Sequence, residues 1–213
     1  MKNTTLLLIM SLGLVACGDD KDELIETDIF TETETETETE TTITTYEGYS
    51  LLWSDEFNGS EVDRSIWGYN LGDGSGEAPG KGWGNNELQN YTNNAENVAI
   101  AVDDNGTSSL VITALKETTA TDNSYTSARL TTETLKSIRY GKIVVRAKMP
   151  KGKGFLPAIW LLGDNRPEIK WPGCGEIDMV EVIGSVPETM FSTLHYVNSD
   201  FSYQLEHQSG VSL

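Results

Sequence analysis

Basic residues are scarce in this chain: 15 lysines and arginines face 33 aspartates and glutamates, a formal net charge of −18. No basic stripe exists, which argues against nucleic acid as a partner. Cysteine is nearly absent. Cys17 follows an apolar leader and Cys174 lies beside an acidic strand, so an internal disulfide is not expected. Long apolar runs are missing as well, and the one near the amino terminus, Leu6 to Val15, is too short to span a bilayer as a lasting anchor. No convincing long helical repeat occurs, and the loop glycine and oxygen-ligand spacing of an EF-hand are absent.

What is present divides the chain unevenly. Residues 1 to 49 hold twelve acids and two lysines, a balance of −10, which leaves −8 for the remaining 164 residues. The acidity therefore belongs mostly to a leader and linker, and a 38% hydrophobic content makes a core only if those polar parts stand apart. Residues 1–16 read as a secretory signal, with Lys2 ahead of the short apolar run. Leu14-Val15-Ala16-Cys17 resembles a bacterial lipobox. That resemblance implies a lipidated Cys17 and a lipoprotein held to the outer membrane, and Gly18-Asp19-Asp20-Lys21-Asp22-Glu23 resembles the acidic surface-export signals of some Gram-negative lipoproteins. Residues 17–45 include Thr31-Glu32 repeated through Glu40, a polar self-repelling tract expected to be a disordered tether.

A domain is expected over 46–213. Val98, Ile100 and Val102, then Asp104-Asn105-Gly106, then Leu110 and Ile112 form a hairpin signal. Tyr125 to Leu130 and Lys142 to Met149 continue the strand pattern, the second with Ile143, Val145, Ala147 and Met149 on one face. Many short strands indicate an all-β sandwich. Trp53 and Trp67 are expected in its core, and Asp55 and Glu56 are expected to be structural. A glycine-rich stretch from Gly72 to Gly84 suits an edge where backbone approaches a ligand.

The chain is organised around Gly175-Glu176-Ile177-Asp178-Met179-Val180-Glu181, three acids among apolar, β-prone neighbours. On a regular strand Glu176 and Asp178 share a face and Glu181 points away. A β-bulge at Met179-Val180 would bring Glu181 back, and bulges are common beside active sites. Three acids on one face repel each other, so stability gives no reason to align them. Glycoside hydrolysis does, because a retaining enzyme needs two carboxyls roughly 5 to 5.5 Å apart, one as nucleophile and one as proton donor. Trp160 and Trp171 bracket the approach to Glu176 in sequence and are expected as platforms for pyranose rings.

Trp171-Pro172-Gly173-Cys174-Gly175-Glu176-Ile177-Asp178-Met179-Val180-Glu181 resembles the signature of glycoside hydrolase family 16, and Gly82-Trp83-Gly84-Asn85-Asn86-Glu87-Leu88-Gln89 is similar to its laminarinase branch. The resemblance implies a jelly-roll β-sandwich of two antiparallel sheets, with Glu176 as nucleophile, Asp178 as its electrostatic partner and Glu181 as general acid/base. It further implies that Asn86 and Arg129 bind sugar, with Arg139 near the cleft, and that His195 hydrogen-bonds substrate or Glu181. The activity implied is endo-hydrolysis of β-1,3-linkages in laminarin-like β-glucan polysaccharide or oligosaccharide. Alternatives are mixed-linkage glucan, a marine galactan, or a surface protein that binds glucan without cutting it. No cofactor is required, a structural calcium is compatible with family relatives, and the protein is expected to be monomeric. Family domains continue for several strands past the position of Leu213, so the sequence reads as a C-terminally truncated fragment whose isolated activity is in question. Cys174 is expected to be an unreactive packed thiol.

Overall fold

The computed structural model describes residues 5–8, 13–16, 45–76, 80–117, 125–200 and 202–212. Among them the regular structure is fifteen strands and one short 3-10 turn at Lys81–Gly84. β1 (Thr5–Leu8) and β6 (Val98–Val102) flank β7 (Ser108–Thr113), and β2 (Gly13–Ala16) lies between β3 (Ser50–Trp53) and β11 (Lys142–Val144). β4 (Gly68–Asn70) pairs with β10 (Arg129–Thr131), while β9 (Tyr125–Ser127) lies between β5 (Asn90–Tyr91) and β8 (Leu115–Lys116). The largest sheet runs in chain order: β12 (Ala158–Leu162), β13 (Glu176–Val182), β14 (Thr189–Val197) and β15 (Tyr203–Ser212). Every pairing is antiparallel except the two-residue β5–β9 contact.

The expected hairpin is β6–β7. The Asp103 carboxylate closes its turn by accepting the Asn105 and Thr107 N–H groups at 2.9 Å each, and Gly106 takes a left-handed φ of 82° there. The ladder brings Ile100 opposite Leu110 and Val98 opposite Ile112, so alternation becomes one apolar face. That face meets Phe57, Trp67 and Ala128 in a buried cluster, with Trp53, Ile143, Val145 and Ala147 packed against it. Trp53 and Trp67 meet edge to face at 6.3 Å. Asp55 holds this corner together, accepting the Trp67 indole N–H and the Phe57 amide at 2.8 Å each.

One expectation needs correction. The strand expected over Lys142–Met149 is hydrogen-bonded as a strand only at Lys142–Val144; Val145 and Ala147 keep their core side, but the backbone beyond Val144 is not in a ladder. In the amino-terminal apolar run, β1 pairs with β7, and β2 with β3 and β11. Extended apolar segments readily add to open sheet edges, whatever their later processing. The tether and Cys17 lie outside the described residues.

Candidate active site

Glu176 and Asp178 project from one face of β13. Against β14 the register runs Glu176 to His195 and Asp178 to Thr193, then jumps to Glu181 opposite Phe191, so Met179 and Val180 together face Ser192. This is the bulge that the acid spacing predicts. The Ser192 hydroxyl donates to the Met179 carbonyl at 2.9 Å and holds it in place. Thr193 shares Asp178's face, and its hydroxyl lies 3.5 Å from Glu181 Oε2, which places Glu181 on that wall too. At the start of the strand Gly175 has φ 80°, and Gly163 approaches so closely that an added Cβ would sit 2.0 Å from the Cys174 carbonyl. Neither position accepts a side chain without strain.

Asp178 is the buried member, 4% exposed. Burial first, then the neighbouring charges of Glu176 and Glu181 and a hydrogen bond shared with Glu176, push its carboxyl up to about 7. Near neutral pH it therefore holds a proton much of the time, in contact with Glu176. Glu176 Oε2 also accepts the Trp171 indole N–H at 2.5 Å. Trp171 is 48% exposed, so one edge serves the carboxylate, part of the ring meets His195 and Tyr203, and part is open.

His195 reaches Asp178, not Glu181. Its Nε2 lies 3.0 Å from Asp178 Oδ2 and its Nδ1 lies 2.6 Å from the Tyr203 hydroxyl. The bulge displaces Glu181 along β13, while the unshifted register sets His195 opposite Glu176 and beside Asp178. Glu176, Asp178 and His195 offer one ligand atom each within 4.8 Å of one another. Three donors fall well short of the six to eight oxygens that calcium takes, and the imidazole nitrogen already engages Asp178, so the cluster is better described as a hydrogen-bonded acid network than as a calcium site.

Trp160 lies opposite Asp178 in the β12–β13 ladder, on the same wall. Its ring is not free as a sugar platform on both faces, because the Arg129 guanidinium stacks on it at 4.7 Å and on Trp83 at 4.5 Å. Arg129 is thus clamped between two indoles, a favourable cation–π arrangement. Burial lowers its pKa, opposed by the charges of Tyr91, Glu87 and Glu176, and its Nε has no hydrogen-bond partner. Behind it Glu87 Oε2 accepts Gln89 Nε2 and the Tyr91 hydroxyl, both at 2.6 Å. Burial and that bond push the Tyr91 phenol far upward, so it stays a donor.

Asn86 sits in a left-handed turn at φ 56° and is exposed, which gives it a turn-forming role in this chain. Arg139 is exposed and lies over the Tyr140 ring at 5.3 Å, with no contact to the acid wall among the described interactions. Cys174 is half-buried and free, and burial raises its thiol pKa, as expected of an inert cysteine. The sequence reading assigned no role to Tyr203 or Tyr91, and took Trp83 and Glu87 only as part of the 82–89 stretch. Tyr203 could have been found by counting the β14–β15 hairpin, which places it diagonal to His195 on one face.

An acid-lined wall on an all-β sandwich, rimmed by aromatic rings, defines a carbohydrate-active class. Residues 82–212 match the profile of glycosyl hydrolases family 16, and the chain belongs to that family. It is 41% identical over 149 residues to a glucan endo-1,3-beta-glucosidase of Cryptopygus antarcticus, covering 68% of this chain and 50% of that protein. A crystal structure of laminarinase from Flavobacterium sp. UMI-01 superposes with a TM-score of 0.59 at 42% identity, covering 74% of this chain and 64% of that one. LamA from Z. galactanivorans, solved with laminaritriose and laminaritetraose, gives a TM-score of 0.63 at 35% identity over 76% of this chain and 67% of that one. The fold class is the expected jelly-roll sandwich. The chain spans about half the length, or less, of the curated relatives it matches.

Proposed function

We propose that this chain carries the catalytic acids of a retaining endo-glycosidase that cleaves β-1,3-linkages in laminarin-like β-glucans. The observation that supports it is the bulge, which sets Glu176 and Glu181 on one wall with buried Asp178 between them. In the first half-reaction a Glu176 oxygen attacks the anomeric carbon while Glu181 gives its proton to the departing glycosidic oxygen, leaving a glycosyl ester on Glu176. In the second, Glu181 takes a proton from water, the resulting hydroxide attacks the anomeric carbon, and Glu176 leaves as a carboxylate. Asp178 responds to both steps. It shares its proton with Glu176 while that group is charged, and loses Glu176's part of the upward push once Glu176 is esterified, with burial and the Glu181 charge still acting. Water and two carboxyls supply the chemistry, without a cofactor. Exposed Trp171 offers a ring to a pyranose at the point where its N–H holds the nucleophile.

Changing Glu176→Gln and Glu181→Gln separately and measuring reducing ends from laminarin tests the assignment; near-normal turnover in either variant ends it. A parallel panel of mixed-linkage glucan and agar decides the linkage. The same reading includes a lipid anchor at Cys17 with residues 17–45 as its tether, since several acyl chains on one cysteine hold a membrane far better than one. A Cys17→Ala protein expressed in a Gram-negative host should leave the membrane fraction, and one that stays bound would remove the anchor.

A further inference from the structure

We propose that Tyr203 is a positioning residue for this site: its hydroxyl donates to His195 Nδ1, fixing the imidazole proton on Nε2, where it is aimed at Asp178. The inference rests on the glycosidase reading above for its kinetic consequence, but not for its geometry. The Tyr203 ring stacks on His195 with an interplanar angle of 9°, and its hydroxyl is 2.6 Å from Nδ1. The opposite nitrogen lies 3.0 Å from Asp178 Oδ2. A neutral imidazole has one donor and one acceptor, so whichever nitrogen accepts from Tyr203 leaves the other to donate.

The surroundings favour Tyr203 as the donor in the first bond, because acid oxygens on the other side of the ring call for an N–H there. The groups facing His195 are Glu176 and Asp178 from β13, Tyr203 from β15 and the Trp171 indole, whose centroid is 5.8 Å away. Burial and the two acid charges raise the Tyr203 phenol, so it keeps its proton and has it to donate to an Nδ1 lone pair. Nε2–H then points at an oxygen of Asp178. This donor matters most when Asp178 must bear charge, after Glu176 has become an ester and no longer shares the Asp178 proton. Without the hydroxyl, His195 is free to move its proton to Nδ1 and present a lone pair to Asp178, which favours the protonated acid. Tyr203 thereby acts on the reaction through His195 and Asp178, without touching the reacting atoms.

The alternative for a half-exposed tyrosine beside Trp171 is direct sugar contact, and the two roles separate in measurement. The whole chain holds only two histidines, so imidazole 15N spectra at pH 8, above the ordinary histidine range, are simple to read, with a His207→Gln sample assigning the signals. In the wild-type protein the imidazole proton of His195 should sit on Nε2, and in Tyr203→Phe that signature should give way to Nδ1–H or a tautomer mixture. On laminarin the same variant should lose about tenfold in kcat, the worth of roughly one hydrogen bond, with KM within about twofold. A wild-type proton on Nδ1, a tautomer unchanged in Tyr203→Phe, or a loss confined to KM each overturns the proposal. If the wild-type protein cleaves no laminarin, the glycosidase reading falls while the spectra still decide the tautomer.

Discussion

The amino-terminal core and the acid-bearing sheet are built on opposite terms. Around Phe57, Trp67 and Leu110 the side chains are 1–6% exposed and touch mostly apolar neighbours. On β13 and β14 the face away from the acids leaves Ile177 45% and Leu194 40% exposed, while the acid face is dense with hydrogen bonds. Apolar burial is concentrated in the first region and the acid network in the second. The difference also shows what each costs: the core gains from burial, whereas burying Asp178 beside two further carboxylates raises it toward neutrality and opposes folding.

Substitutions that affect one region and spare the other sharpen this contrast. The largest effect expected is from Glu176→Gln, which should cost at least about a thousandfold in kcat/KM while the melting temperature holds or rises, because a like charge beside Asp178 is gone. Thermal unfolding alongside laminarin kinetics checks both halves, and a large loss of stability would show that the acids also support the fold. Leu110→Ala should do the reverse, losing about 2–5 kcal/mol by urea denaturation while folded molecules keep their turnover.

A smaller effect separates the regions by pH. An aspartate held at about 7 when folded and at its ordinary value of 3.8 when unfolded binds more protons in the native state between those values. Its contribution is most favourable below the unfolded value and is lost as pH rises toward 7, by about 2–4 kcal/mol. Unfolding free energy should therefore decline from pH 4 to 7 in the wild type and flatten over that window in Asp178→Asn. An unchanged slope in the variant would assign the decline to other groups.

Much of the site was legible because its signals are local. E-x-D-x-x-E specifies a strand with one residue too many, and the bulge at Met179–Val180 supplies it. The β6–β7 hairpin and the Trp53–Trp67 core follow from alternation and turn residues. The missed features depend on separations that periodicity does not encode. Arg129 comes between Trp83 and Trp160 only when β10, the 3-10 turn and β12 converge. His195 meets Asp178 instead of Glu181 because the register with β14 shifts after Asp178, and that shift belongs to a pair of strands, not to either alone. Likewise Val145 and Ala147 kept their apolar side without a ladder, since alternation records burial and not hydrogen bonding.

The most direct test of the central claim is covalent trapping. Incubation with a 2-deoxy-2-fluoro β-laminaribiosyl fluoride, proteolysis and mass spectrometry should find the fluoro-sugar esterified to the peptide residue Glu176. Label on Glu181 instead would reverse the two roles, and the absence of any label in a protein that turns over laminarin would contradict a covalent intermediate on this strand.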